Sequence, residues 1–184
     1  RRRHHVFEDI IASCGGLTPV SVAVCHPCDQ VSLEGPVEAA RLGLIVPILV
    51  GPEAKIRQIA AEFSIDIAGL RIVDSAHSHD SAGKAVALCR SGEAEALMKG
   101  SLHTDEMMHE VASREKGLRT SRRISHVFIM DVPTYPRTLL ISDAAINIYP
   151  SLEDKVDIVQ NAISLAHVLG VDQPKVAILS AVET

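Results

Sequence analysis

The sequence is poor in aromatic residues, because Trp is absent and aromatics make up only 3% of its 184 residues. A core without large rings must be built from Val, Ile, Leu and Ala, which suits a parallel β-sheet covered by helices. Nucleic-acid binding usually needs a basic face with stacking aromatic side chains, whereas the net charge here is −5. The composition therefore favours a globular α/β protein and argues against a nucleic-acid-binding one.

Long apolar runs are also missing, and none approaches the roughly 20 residues that a membrane-spanning helix needs. The first five residues, RRRHH, are basic, but no long apolar region follows them as in a signal peptide. Cysteine is scarce, with Cys14, Cys25, Cys28 and Cys89, and a chain this apolar does not need disulfide bonds. We therefore expect a reducing, cytoplasmic setting. Because the chain does not begin with Met, we also expect it to be a processed, trimmed or partial product.

Strand and helix patterns alternate along the first half of the chain. Runs rich in β-branched residues predict strands at residues 20–24, 44–50, 70–73 and 96–98. Helical periodicity and breaker residues predict helices at residues 36–42, 56–63 and 81–89, with another near Thr104. Pro36 is expected in the first turn of its helix, where a missing N–H costs little. This alternation predicts a parallel sheet flanked by helices.

The second half of the chain has a different pattern. Residues 127–132 and 138–142 predict two strands around a turn, which would form a hairpin beside the main sheet. Ser151 and Asp154 form a capping box that opens a long helix ending at Gly170, and residues 176–179 predict a last strand. We therefore divide the chain into a basic start and first helix (1–15), a first α/β lobe (16–104) and a partial second lobe (105–184).

The segment after the fourth predicted strand has the features of an anion-binding turn. Gly100 allows the backbone to approach an anion closely, while Lys99 adds a positive charge. Ser101 and Thr104 add hydroxyl donors, and Thr104 can cap the next helix, whose N-terminus favours negative charge. The same residues also fit a simple glycine turn with a capping Thr and a solvated Lys. The segment is not a Walker A loop.

Three further groups of polar residues need an interpretation. Cys25 and Cys28 could form a redox pair or part of a zinc site, but no second cysteine pair completes four ligands, and we favour two buried thiols beside a turn. His77 and His79 precede Asp80, and we favour helix-capping chemistry over a metal site there. Asp143 and Asn147 could point into one cleft, or could satisfy the backbone of a turn.

Several motifs, taken in order, make the chain similar to the phosphate acetyl/butyryl transferases. They are residues 98–104 (MKGSLHT), 123–127 (RISHV), 143–150 (DAAINIYP), 160–163 (QNAI) and 176–184 (VAILSAVET). The resemblance covers nearly the whole chain from about Phe7. Residues 181–183 resemble the butyryltransferase-like branch, which includes forms fused to an enoyl-CoA hydratase-like domain.

The resemblance implies a two-lobed fold like that of the isocitrate/isopropylmalate dehydrogenases, and usually a homodimer. It implies reversible transfer of an acyl group between coenzyme A and inorganic phosphate, in a cleft between the lobes, with no metal or other cofactor required. Members of the family continue beyond the position that matches Thr184, so we expect the second lobe to be incomplete. The catalytic base is not assigned, because residues 181–184 replace a Ser/Thr-rich stretch of the acetyltransferase branch.

The resemblance and the residue chemistry together predict nine site residues. They are expected to bind phosphate or coenzyme A, and they are Lys99, Gly100, Ser101, His103, Thr104, Ser125, His126, Asp143 and Asn147. Two other functions stay open at this point. One is a metal- and NAD-dependent decarboxylating dehydrogenase of the same fold, for which Asp143 alone is well placed as a metal ligand. The other is an inactive fragment that only binds coenzyme A or a partner domain.

Overall fold

The structure, a computed structural model, describes residues 6–179 of the chain. Contacts between Cα atoms divide the chain into two compact units. We call residues 16–119 the sheet unit, and residues 1–15 with 120–184 the hairpin unit. The basic start at residues 1–5 and the motif end at residues 180–184 lie outside the described residues.

The sheet unit confirms the predicted alternation of strands and helices. Its elements in chain order are β1 (Val20–Cys25), α2 (Gln30–Arg41), β2 (Ile45–Gly51), α3 (Glu53–Glu62), β3 (Arg71–Asp74), α4 (Ser78–Ser91), β4 (Ala96–Lys99) and α5 (Thr104–Val111), after α1 (Val6–Ser13) in the hairpin unit. The four strands pair in the order β3-β2-β1-β4, and all pairs are parallel. Cys25 at the end of β1 lies opposite both Val50 of β2 and Lys99 of β4.

Alternate residues of the strands bury opposite faces of the sheet, which places helices on both sides. Ala23 and Cys25 of β1 pack in one core cluster with Ala82, Ala85 and Leu88 of α4. Val22 and Val24 face the other side, where they pack with Leu33 of α2 and with Ile56 and Ile59 of α3. Because β1 is covered on both faces, almost all of its residues are apolar and they do not alternate with polar ones.

The second helix differs from its prediction. It begins at Gln30 rather than near Pro36, because Asp29 accepts a hydrogen bond from the backbone N–H of Ser32 and caps the helix. Pro36 therefore lies in the helix interior, where it is buried and leaves one backbone carbonyl without its usual N–H partner. The prediction that Pro36 occupies the first turn is wrong.

The hairpin unit contains β5 (Val127–Met130) and β6 (Leu139–Ser142), which pair antiparallel as predicted. Helix α6 (Leu152–Val168) follows, and its capping box of Ser151 and Asp154 is present. Residues 176–179 do not form the predicted last strand, since they pair with no strand among residues 6–179 and are exposed. An apolar run needs a neighbouring strand to become one, because its backbone groups must be paired.

The division into units follows the packing of α5. Sequence patterns place a lobe boundary after Thr104, whereas the contacts divide the chain after Arg119 because α5 lies with the sheet unit. The division falls inside the region between residues 104 and 124, where the apolar periodicity weakens. No helix among the described residues is long and apolar enough to cross a membrane.

Candidate active site

The direction in which strands are added to the sheet reverses at β1, so a ligand-binding crevice is expected beyond the ends of β1 and β4. The chain leaves β1 for β2 on one side, and after β3 it returns to β4 on the other side of β1. In open parallel sheets, ligands bind at such a reversal, beyond the carboxyl ends of the strands. The segment after β1 begins with His26 and the segment after β4 begins with Gly100. Gly100, which was predicted as a site residue, and His26, which was not, therefore lie at the same edge of the sheet.

Gly100 and Ser101 connect the two segments directly. The Gly100 N–H donates to the Cys25 carbonyl over 2.8 Å, and the Ser101 N–H donates to the His26 carbonyl over 2.9 Å. The Ser101 hydroxyl also donates to His26 O at 2.9 Å and accepts from the Cys28 N–H at 3.3 Å. These donors, which the sequence assigned to an anion, are thus engaged in joining the loops after β1 and β4.

Lys99 is the cation of this edge. Its side chain is exposed at the end of β4, and Nζ donates to the carbonyl of Gly100 over 3.2 Å. An ammonium group carries three donors. Among residues 6–179 the bond to the Gly100 carbonyl is the one hydrogen bond of Nζ, so two of its protons can bind an anion at this edge. Thr104 is also exposed, and its hydroxyl has no hydrogen-bond partner among residues 6–179.

Helix α5 begins at Thr104 as predicted, but Thr104 is not its cap. His103, not Thr104, is the N-cap residue, and the Glu106 carboxylate accepts a hydrogen bond from the His103 N–H at 3.0 Å. Glu106 also accepts from the Ser78 hydroxyl at 2.8 Å, and these two bonds lower its pKa below the usual range. The helix end thus already faces a carboxylate. An anion in this crevice must rely on Lys99 more than on the helix N-terminus.

The second set of predicted residues lies in the hairpin unit and surrounds Asp143. The carboxylate of Asp143 accepts from the backbone N–H groups of His126, Ala145, Ile146 and Asn147, over 2.7 to 3.3 Å, and also from the Asn147 side chain. Burial acts to raise the pKa of Asp143, but these hydrogen bonds together hold it below its ordinary value of 3.8. Asp143 and Asn147 thus hydrogen-bond within their own turn, which is the second of the two alternatives that the sequence left open.

Asn147, Ser125 and His126 contact residues that were not among the nine predicted site residues, although Arg123 and Asn161 lie in the quoted motifs. Asn147 Oδ1 accepts from Arg123 Nε at 2.8 Å, and the Ser125 hydroxyl accepts from Asn161 Nδ2 at 2.8 Å. The His126 ring packs edge-on against Phe128, with 4.4 Å between ring centroids. Its Nδ1 atom is buried and has no hydrogen-bond partner within residues 6–179.

A cavity of about 360 Å³ in the hairpin unit includes Asp143 and Asn147 in its wall, a size typical of small-molecule pockets. Its other walls are mostly apolar side chains of α6 and of residues 174–179. The structure thus brings Lys99 to Thr104 together in one unit, and Ser125, His126, Asp143 and Asn147 in the other. That all nine residues serve one site stays a prediction.

The histidine-rich segment before α4 shows the capping chemistry that the sequence favoured. His77 is the N-cap residue, and its Nδ1 accepts from the Asp80 N–H at 3.3 Å. His79 Nε2 lies 3.2 Å from Glu106. Within the described part of the chain, no group of three or more His, Cys, Asp or Glu side chains is arranged to hold a metal ion.

The polar network that the sequence missed consists of His26, Ser75 and Ser81. Ser75 and Ser81 are 3% and 0% exposed, respectively, so their hydroxyls must be paired within the protein. His26 Nδ1 lies 2.9 Å from Ser81 Oγ, which lies 2.7 Å from Ser75 Oγ. His26 follows β1, Ser75 follows β3 and Ser81 lies in the first turn of α4, so the three residues come from different segments. Their spacing in the sequence carries no periodic signal that could have predicted the contact.

Cys25 and Cys28 are expected to be unreactive thiols. All four cysteines are free, and burial raises the pKa of Cys25 to about 12 and that of Cys28 to about 11. Since the thiolate is the nucleophile, iodoacetamide at pH 7.5 should label both residues at least 100-fold more slowly in the folded protein than in urea. Mass spectrometry of tryptic peptides measures both rates, and metal analysis of the purified protein should find no zinc. Fast labelling of the folded protein, or stoichiometric zinc, would contradict this interpretation.

Replacing Asp143 with Asn should destabilise the hairpin unit in a pH-dependent way. A depressed pKa means that the carboxylate stabilises the fold above its unfolded-state pKa, and that this stability disappears as pH falls through the lower folded value. Asp143→Asn should therefore cost about 2 kcal/mol at pH 7 and progressively less below pH 3.8. Amide hydrogen exchange at residues 145–147 measures the loss. Asp172→Asn, at an exposed position after α6, is the control, and equal exchange in both variants would contradict the assignment.

Comparison with known proteins gives a consistent family. Residues 78–184 match the family described as Phosphate acetyl/butaryl transferase. The phosphate acetyltransferase of Rhizobium meliloti is 61% identical over 178 residues, which are 97% of this chain and 56% of that protein. The phosphate butyryltransferase of Clostridium acetobutylicum is 36% identical over 177 residues, which are 96% of this chain and 59% of that protein. The chain therefore spans a little over half the length of these relatives.

A solved structure of another protein has a similar fold. A phosphotransacetylase from Streptococcus pyogenes superposes with a TM-score of 0.77 at 16% sequence identity, over 94% of this chain and 60% of that one. At this identity the likeness concerns the fold alone. The higher identity to the R. meliloti acetyltransferase than to the C. acetobutylicum butyryltransferase runs against the butyryltransferase-like branch expected from residues 181–183.

Proposed function

The chain belongs to the phosphate acetyl/butaryl transferase family, and we propose that its full-length gene product transfers an acetyl group reversibly between coenzyme A and inorganic phosphate. The observation that carries the proposal is the 61% identity to the R. meliloti phosphate acetyltransferase across 97% of the chain. The matched family region begins at residue 78 and includes all nine predicted site residues.

The proposed reaction is direct attack of a phosphate oxygen on the thioester carbonyl carbon. Phosphate must be held by a cation and hydrogen-bond donors, and the oxyanion that forms on the carbonyl must be stabilised. In the sheet unit, the exposed Lys99 ammonium and the Thr104 hydroxyl are the available donors, on a turn that Gly100 and Ser101 hold in place. His103 lies beside them at the start of α5.

In the hairpin unit, we propose that Ser125, His126, Asp143 and Asn147 contribute to coenzyme A or phosphate binding. Asp143 and Asn147 line the cavity of about 360 Å³, and the His126 Nδ1 atom is left without a partner among the described residues. The Asp143 carboxylate is occupied by backbone N–H groups, so its contribution is to hold the turn that carries Asn147.

Several finer features are proposals that rest on the family alone. They are the two-lobed fold of the isocitrate/isopropylmalate dehydrogenases, a homodimer, and catalysis without a metal or other cofactor beyond the coenzyme A substrate. A cytoplasmic location is also proposed, and it rests on the scarce cysteines of the sequence. An association with an enoyl-CoA hydratase-like domain is proposed from residues 181–183, which resemble the butyryltransferase-like branch.

Acyl phosphate formation by the full-length gene product tests the proposal. Thiol release from acetyl-, propionyl- and butyryl-CoA should require phosphate, and acetyl-CoA should give the highest kcat/KM. The acyl phosphate is trapped with hydroxylamine and quantified, and omission of phosphate is the control. A preference for butyryl-CoA would correct the acyl chain length. Failure to form any acyl phosphate from the three thioesters would overturn the function.

A further inference from the structure

His26 occupies an unusual backbone position at the reversal of the sheet. It is the first residue after β1, and its φ of +58° lies in the left-handed region, which His adopts more readily than most residues other than Gly, Asn and Asp. Its N–H donates to the Val50 carbonyl at 2.7 Å, and its carbonyl accepts both donors of Ser101. The residue is therefore held tightly against the turn that carries Lys99.

The contacts of the Ser81 hydroxyl favour one tautomer of the His26 ring, because three partners share a single hydroxyl proton. The Ser81 hydroxyl lies 2.9 Å from the His77 carbonyl, which can only accept a hydrogen bond. When all three contacts of Ser81 Oγ are hydrogen bonds, its single proton goes to His77 O, and Ser81 Oγ accepts from both His26 Nδ1 and Ser75 Oγ. This arrangement gives every contact one donor and one acceptor. It selects the tautomer in which Nδ1 is protonated and Nε2 carries a lone pair.

Nε2 of His26 is available as a proton acceptor. Among residues 6–179 it has no hydrogen-bond partner, and the ring is only partly buried. Burial lowers the pKa of His26 below its ordinary value of 6.5, with Glu106 at the start of α5 acting to raise it and His77 before α4 acting to lower it. Further titratable groups at this edge are Cys25, Cys28 and Asp29 around the end of β1, and Lys99 and His103 around the end of β4. The ring is thus neutral at pH 7.

We propose that His26 is a catalytic residue that carries a proton from the phosphate hydroxyl to the leaving thiolate, with Nε2 as the carrier atom. The inference rests on the proposed function. The phosphate oxygen forms a bond to the thioester carbonyl carbon and loses its proton to Nε2. The carbon–sulfur bond then breaks with its electron pair on sulfur, and the imidazolium returns the proton to that sulfur. Acyl phosphate and neutral coenzyme A thiol result, so protons and charge balance without a further reactant.

Ser81 acts as a positioning residue in this scheme. Its hydroxyl holds Nδ1–H, as the orienting group of a catalytic histidine does, and keeps the lone pair on Nε2. Lys99 would hold the phosphate beside the ring, since the turn that carries Lys99 is bonded to the His26 carbonyl.

His26→Asn in the full-length gene product is the first test. Asn tolerates the left-handed backbone but cannot carry the proton, so kcat should fall by about 10²- to 10⁴-fold while the thermal unfolding midpoint changes little. In the wild type, kcat should rise with pH as His26 loses its proton below pH 6.5, and this acidic limb should vanish in the variant. His109→Asn, an exposed histidine of α5, is the control and should match the wild type. A folded His26→Asn protein that keeps its kcat and its acidic limb overturns the proposal.

Nitrogen NMR of histidine-labelled protein gives a readout that does not depend on transferase activity. The His26 signals should report protonated Nδ1 and unprotonated Nε2 at pH 7, and inorganic phosphate should shift the Nε2 signal. Ser81→Ala should allow the other tautomer and lower kcat less than His26→Asn does. If the wild type forms no acyl phosphate while the tautomer and the phosphate shift are observed, the proposed reaction has failed and the His26 anion contact stands. If the enzyme is active but the opposite tautomer is observed, the inference about His26 is wrong, while the proposed function stands.

Discussion

Gly100→Val is expected to unfold the sheet unit more readily than it weakens substrate binding. A Cβ atom at this position would lie 2.4 Å from the Cys25 carbonyl oxygen and 2.6 Å from the His26 carbonyl oxygen. Both are backbone atoms, so relief requires β4 to move away from β1 and break the 2.8 Å hydrogen bond from Gly100 N to Cys25 O. Overpacking of a closed interior costs about 1–3 kcal/mol or more, and we expect the upper end of that range.

Urea unfolding of the full-length gene product, followed by circular dichroism, measures this loss. Gly83→Val is the matched control, because Gly83 lies in α4 and, apart from its own helix backbone and chain neighbours, a Cβ atom added there would approach only the flexible Glu110 carboxylate, at 3.9 Å. This control should change stability by no more than about 0.5 kcal/mol. The sequence suggested that Gly100 makes room for an anion, in which case Gly100→Val would fold normally and bind phosphate poorly. That outcome would show that Gly100 faces the ligand.

Most of the sheet unit could be predicted because its strands are apolar on both faces. Residues 20–24 and 44–50 form continuous apolar runs that only a sheet covered by helices can bury, and both strands were found within one residue of their predicted ends. The start of α2 was missed for a physical reason. The signal lies in Asp29, which with Ser32 forms the capping box that begins the helix and which the helical periodicity alone does not reveal.

The predicted strand at residues 176–179 shows where a local pattern is insufficient. Its composition is that of a strand, yet strand formation depends on a neighbour that supplies backbone partners, and none is present among residues 6–179. In contrast, helix α6 satisfies its own backbone, and its capping box at Ser151 and Asp154 was predicted correctly.

The candidate site was predictable in its residue types but not in its contacts. Lys99 and Ser101 stand out because a cation, a glycine and hydroxyls follow a strand. The partner of Ser101 is His26, which is 75 positions away in sequence, and that of the His26 ring is Ser81, 55 positions away. Such pairs are created when the chain reverses direction in the sheet. The fold therefore had to be known before His26 could be recognised.

Lys99→Met is expected to raise the KM for phosphate by about 10- to 150-fold. The Lys99 ammonium is the exposed cation at the end of β4, and Nζ has a single protein contact among the described residues, to the Gly100 carbonyl. A hydrogen bond to a charged group is worth roughly 1.5–3 kcal/mol, and each 1.4 kcal/mol corresponds to a factor of ten. Glu106 caps the start of α5 with a negative charge, so the helix N-terminus cannot replace the lost cation.

Steady-state kinetics of the full-length gene product, with phosphate varied at saturating acetyl-CoA, measures the effect. Lys116→Met, at an exposed position beyond α5, removes a positive charge from the same unit and should leave the KM for phosphate within about twofold of the wild type. Lys99→Arg should keep part of the affinity, because it restores the charge with a different donor geometry. Since the Lys99 side chain is exposed, Lys99→Met should fold normally, and its thermal unfolding midpoint verifies this. An unchanged KM and kcat in folded Lys99→Met would show that this ammonium is solvated and does not hold phosphate.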